Sequence, residues 1–143
     1  MKYKTTKKVI LLSLKEQFFE QILNKTKEYE FRKQFPNESL TAVVYLSFPV
    51  MKIVGIIEFD KPIIFDISLM KEHPLISPYN SASLIKYYSG RETGYAIPVL
   101  DVYRLEKAIS LAEIRNKQPD FQPPQSYSYL KYDSYLFDEL IEI

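Results

Sequence analysis

The sequence predicts an α+β domain, a small mixed β-barrel flanked and closed by helices. Three observations carry this. Apolar runs of strand length outnumber segments with helical spacing, and the two kinds do not alternate regularly, which argues against a doubly wound parallel sheet. At 143 residues the chain matches one domain of about 150, and no stretch reads as a long linker or an internal repeat. It is 46% hydrophobic, 26% charged and 15% aromatic with three glycines, which excludes collagen-like, linker-like and disordered classes.

The elements follow in order. Val9–Leu14 is β-branched and leucine-rich, a buried first strand. Residues 15–24 place Phe18, Phe19, Ile22 and Leu23 at helical spacing, with Asn24 as a stop that tolerates the left-handed position. Residues 28–32 alternate, with Tyr29 and Phe31 on one face of a strand and Glu28, Glu30 and Arg32 on the other. Residues 41–47 form another strand, broken by Pro49. Residues 53–59 resume it with Gly55 as a bulge or close approach, and 63–65 extend it past Pro62.

Residues 71–79, with His73, Pro74 and Pro78, read as irregular. Residues 80–83 (Asn-Ser-Ala-Ser) offer caps for a short helix that ends at Gly90. Residues 93–104 read as a long strand bent near Pro98. Residues 110–115 read as a helix capped by Ser110 with Glu113 as its reciprocal partner. Residues 133–143 read as a terminal helix. Residues 1–143 are thus expected to form one domain, with a basic N-terminal extension at 1–8, a C-terminal extension at 131–143, and solvated charges on both.

Charge and composition then exclude function classes. Nineteen Lys and Arg against eighteen Asp and Glu leave a formal charge of +1, so a nucleic-acid site must be a local patch rather than a global field. The chain has no cysteine, which removes disulfides, thiol catalysis and cysteine zinc sites. A single histidine, His73, argues against a multi-histidine metal centre and a Ser-His-Asp triad; no metal or cofactor is expected. The run at 9–12 ends at Ser13 and Lys15, too short for a signal segment or a bilayer span, so a cytoplasmic protein with no membrane partner is expected. P-loop, Rossmann, nucleophile-elbow, zinc-protease and EF-hand motifs are absent.

The densest chemistry is Lys27, Glu30 and Arg32. Glu30 and Arg32 share a strand face. If that face floors a cleft, its charges must pair or meet a ligand, because unpaired burial is costly. Arginine offers a rigid donor fork for phosphate or a base edge, lysine a point charge or a desolvated nucleophile, and glutamate an acceptor for an exocyclic amine. A solvated strand face with a weak ion pair is the plainer alternative.

Further candidates are Tyr45 and Tyr95 as base-stacking rings, chosen from a larger tyrosine set that includes Tyr87 and Tyr88. Ser47 ends a strand before a turn, with Lys52 beyond the turn. Gln125 and Ser126 are held by the rigid Pro123–Pro124 pair.

Several stretches together resemble ASCH domains of the PUA-like superfamily: ILLSLK at 10–15, Ile22-Leu23, and KEYEFR at 27–32. The resemblance continues through VYLS at 44–47, Pro49-Val50, Ile53-Val54-Gly55, GYAI at 94–97 and FQPPQSY at 121–127, the last two similar to a prokaryotic subgroup of stand-alone ASCH-like proteins. It spans residues 9–130 and implies a PUA-like β-barrel with a cleft between barrel and helices, lined by Lys27, Glu30 and Arg32. Lys25 stands where the family has a turn glycine. One enzymatic branch of the family removes acetyl groups from N4-acetylcytidine with a Lys, a Thr and a distant Glu; Lys27 matches the first, Glu30 stands in place of the second, and that activity is not carried over.

Three functions follow as expectations. The first is an RNA- or nucleotide-binding domain in which Lys27 and Arg32 meet phosphate or base acceptors, Glu30 meets a base amine or Arg32, and a tyrosine stacks. The second is an amidohydrolase or nuclease acting on modified nucleosides or RNA through Lys27 and Glu30. The third is a non-catalytic protein-interaction or sensing module.

Overall fold

The computed structural model describes residues 2–69 and 81–143. The expectations for residues 71–79, His73 and Asn80 lie outside the described residues.

One mixed sheet dominates. Strands β2 (Val9–Leu14), β4 (Leu40–Leu46) and β5 (Lys52–Phe59) form its centre, with β2 and β4 parallel and β4 and β5 antiparallel. β8 (Tyr127–Tyr129) pairs antiparallel with β2 at one edge. At the other, β7 (Thr93–Ser110) pairs antiparallel with β5, with β3 (Tyr29–Arg32) and with β6 (Ile63–Asp66). β3 and β6 both take the first part of β7, on either side of Tyr95, whereas β5 takes the later part from Val99 onward. β7 thus turns the sheet into a curled half-barrel. The expected α+β class, a small mixed barrel with flanking helices, holds in this half-barrel form.

The central strands are apolar on both faces because both are covered. Ile10, Leu12, Val44 and Ile57 pack on one side with Phe19 and Ile22 of α1 (Glu16–Leu23). Leu11, Val43 and Ile56 pack on the other with Ile114 of α3 (Leu111–Lys117) and Leu136, Phe137 and Leu140 of α4 (Tyr135–Leu140). A smaller cluster of Phe31, Phe65, Tyr88 and Ala96 lies beside α2 (Ser81–Tyr87). Gly55 marks both a register shift and a close approach: a β-carbon there would meet the Phe19 ring at 2.7 Å. The capping box of Ser110 and Glu113 is present.

Five expectations change. β6 does not extend β5 past Pro62 but crosses to pair with β7. β7 runs on to Ser110, because Leu105, Glu106, Lys107 and Ala108 stand opposite the single residue Val54 in an irregular register shift that no alternation marks. Asn24 ends α1 at φ −86°, and the left-handed residue is Lys25 at φ 65°. The termini are not simply solvated. β1 (Tyr3–Lys4) pairs parallel with β9 (Ile141–Glu142), and Thr5 is buried with its hydroxyl 2.8 Å from that of Thr41. The terminal helix over 133–143 is shorter than expected, spanning Tyr135–Leu140, since Ile141 returns to extended backbone to pair with β1.

Candidate functional site

A cleft of about 560 Å³ opens where β2 ends and α1 begins, between β3 and α2. Ser13 interrupts the apolar run of β2, and Ser13, Leu14 and Lys15 form the cleft's edge. The turn after α1 aims Lys27. The amides of Thr26 and Lys27 both donate to the Gln21 carbonyl, at 3.0 and 3.1 Å, around the left-handed Lys25. Lysine there keeps the positive φ that a glycine would adopt freely.

Three charges meet on the floor. Glu30 is 4% exposed. Its Oε2 accepts from Nη2 of Arg32 at 3.0 Å, and its Oε1 lies 3.4 Å from Nζ of Lys27 and accepts from the Phe31 amide at 3.2 Å. Nη2 of Arg32 also donates to the Ser13 carbonyl at 3.1 Å, and Nη1 donates to the Ser126 hydroxyl at 3.2 Å. The Lys27 ammonium sits over the rings of Phe18 and Phe31, at 5.4 and 5.1 Å. Two cations face one carboxylate, so the floor carries excess positive charge. Among the described residues, Nε and one Nη1 hydrogen of Arg32 have no protein acceptor.

The scaffold around these groups is rigid. The Ser13 hydroxyl donates to the Pro124 carbonyl at 2.5 Å and its amide to the Ser126 carbonyl at 2.9 Å, fixing 124–126 against β2. The buried Tyr88 hydroxyl donates to the carbonyls of Arg32 and Tyr95, at 3.2 and 3.3 Å. Burial, with the nearby Tyr87 and Glu30, pushes its phenol above the ordinary tyrosine value.

Of the candidates read from the sequence, Lys27, Glu30, Arg32, Ser47 and Gln125 line the cleft, and Ser126 reaches it through Arg32. Three do not line it. Tyr45 is buried in the core beneath α3 and α4, which raises its phenol pKa. Lys52 is exposed at the start of β5, opposite Ser110. Tyr95 pairs with Arg32 in register, but its ring packs on the main core. Strand membership alone could not say which way these rings turn once the sheet curls.

The cleft also uses residues outside those candidates: Ser13, Lys15, Phe18 and, on α2, Ser83 and Leu84, together with Tyr87 from the wider tyrosine set. Positions 83, 84 and 87 share one helical face, a signal available in the sequence. Among the described residues no group of three or more His, Cys, Asp and Glu could hold a metal ion. No helix among them is long and apolar enough to cross a membrane.

No family model matches the chain. It is 25% identical over 128 residues to an ASCH domain-containing ribonuclease of Zymomonas mobilis, spanning 87% of this chain and 86% of that protein. The crystal structure of ASCH from Zymomonas mobilis superposes with a TM-score of 0.76 at 22% identity, over 94% of this chain and 99% of that one. The NMR structure of Rpa0253 from Rhodopseudomonas palustris gives a TM-score of 0.55 at 16% identity, over 90% and 88%. The resemblance to ASCH domains read from the sequence therefore holds in both sequence and fold.

Proposed function

We propose that this ASCH-type domain binds RNA in the cleft floored by Lys27, Glu30 and Arg32. The observation that carries the reading is a buried three-charge floor with an excess of positive charge, in a cavity of about 560 Å³. That volume falls within the ~300–1,000 Å³ of sites that enclose a small ligand. The bonded side of the Arg32 fork is fixed by Ser13, Ser126 and Glu30, so its remaining N–H groups are pre-aimed for a phosphate or base acceptor. The ribonuclease relative supports RNA as the ligand class.

Replacing Arg32 by Ala should weaken binding of a short single-stranded RNA by about 1–3 kcal/mol if Arg32 reads a base. Affinity equal to that of the parent protein would remove Arg32 from the site.

A second reading is RNA cleavage in the same cleft, favoured by the relative's name. Lys27 and Arg32 would stabilise charge gathering on a phosphate, and Glu30 would take a proton. An end-labelled RNA incubated with the protein tests this. Cleavage lost in Lys27→Ala supports the role of Lys27, and full turnover in that variant removes it.

A further inference from the structure

The cleft does not end at its floor. Lys33, next to Arg32 in the chain, leaves the cleft and lays its ammonium 4.9 Å from the centre of the Tyr87 ring. The Lys33 carbonyl accepts from Nη2 of Arg91 at 3.2 Å, which holds Arg91 against the same rim. Tyr87 is 40% exposed and lines the cleft from α2, with its edge-on neighbour Tyr88 buried behind it at 4.8 Å. Lys33, Tyr87 and Arg91 thus form an exposed band of two cations around one supported ring, continuous with the cleft through the Arg32–Lys33 step of the chain.

We infer that the rim of Lys33, Tyr87 and Arg91 is a second nucleotide subsite, which takes the phosphate and unpaired base adjoining a nucleotide seated in the cleft. This rests on the RNA-binding reading and adds the second subsite. The floor already holds enough positive charge for one phosphate. A second pair of cations beyond the cleft mouth has no use for a free nucleoside or a mononucleotide. It does fit the next phosphodiester along a strand, with Tyr87 stacking the adjoining base. A duplex fits poorly, because a base must be unpaired to stack on Tyr87 or enter a cavity of this size.

The test compares cytidine 5′-monophosphate with mixed-sequence RNA tetranucleotides at several salt concentrations. The parent protein, Lys33→Gln/Arg91→Gln, Tyr87→Ala and Tyr87→Phe are each measured. The tetranucleotide should bind the parent at least ~10-fold tighter than the mononucleotide. The double variant should lose that advantage and flatten the log-affinity against log-salt slope by about 0.7 per phosphate contact removed. Tyr87→Ala should lose tetranucleotide affinity and Tyr87→Phe should keep it, and mononucleotide affinity should change little in the Lys33→Gln/Arg91→Gln variant, whose residues lie outside the cleft lining. Equal affinity for both ligands, or rim variants that bind the tetranucleotide like the parent, overturns the inference while leaving the cleft reading intact. No binding of either ligand to the parent overturns both. A rim that instead captures acidic peptides, with RNA binding unchanged in the variants, also overturns it.

Discussion

Glu30 faces Arg32 at 3.0 Å and Lys27 at 3.4 Å, and all three side chains are at most 14% exposed. Glu30→Gln keeps the shape and removes the charge that balances the two cations. Stranding buried charge in this way costs about 3–5 kcal/mol, and the open cleft mouth should place this variant at the lower end of that range in chemical denaturation. The same variant separates two roles. If Glu30 only neutralises its neighbours, RNA affinity rises and its salt dependence steepens; if Glu30 accepts from a base amine, affinity falls. Lys25, at φ 65°, carries a backbone conformation that costs a non-glycine residue about 1 kcal/mol. Lys25→Gly should therefore raise the melting temperature slightly, with RNA binding preserved because Lys27 keeps its place. The clustering of Lys27, Glu30 and Arg32 was legible from spacing and charge, and the fold brings the three together. The exclusion of Tyr45 and Tyr95 was not, because the direction of a ring depends on how the sheet curls around it.

Among the elements, β2, β4, β5 and α1 were legible because their apolar periodicity is uninterrupted, and α3 because its capping box is a local signal. β7 was legible only as far as Arg104. Beyond it, four residues stand opposite Val54 in the register shift, and pairing with β5, not a residue pattern, restores the strand. The close approach at Gly55 predicts that Gly55→Ala costs about 1–3 kcal/mol through overpacking, first against the Tyr103 backbone carbonyl and then against the Phe19 ring. The link from α2 to the β3–β7 pair runs through the Tyr88 hydroxyl. Its phenol holds its proton above the ordinary value near 10 in the folded state, and the unfolded chain releases it near that value. The stability that this group contributes is therefore complete below about pH 10 and is lost as pH rises beyond it. Tyr88→Phe should flatten the alkaline fall in stability seen in denaturant titrations between pH 9 and 11. An unchanged slope would assign that fall to other groups.

For the whole molecule, the near-neutral charge described the local charge distribution poorly. A net +1 conceals a local excess in the cleft and on its rim, because acidic residues are spread elsewhere over the fold. The closure of the two termini through β1 and β9 was likewise invisible, since two-residue strands at the chain ends leave no periodicity to read. The core beneath α3 and α4 shares no residue with the cleft lining. Phe137→Ala should thus cost about 3–5 kcal/mol of stability and leave RNA affinity unchanged below its melting temperature. The most direct test of the cleft as an RNA site is an amide-shift titration of the labelled protein with a short single-stranded RNA at near-physiological salt. The account predicts saturable shifts centred on Lys27, Glu30, Arg32 and Ser126 and extending to Lys33 and Tyr87. Saturable shifts confined to the surface of α3 and α4, or none at high RNA concentration, would contradict it.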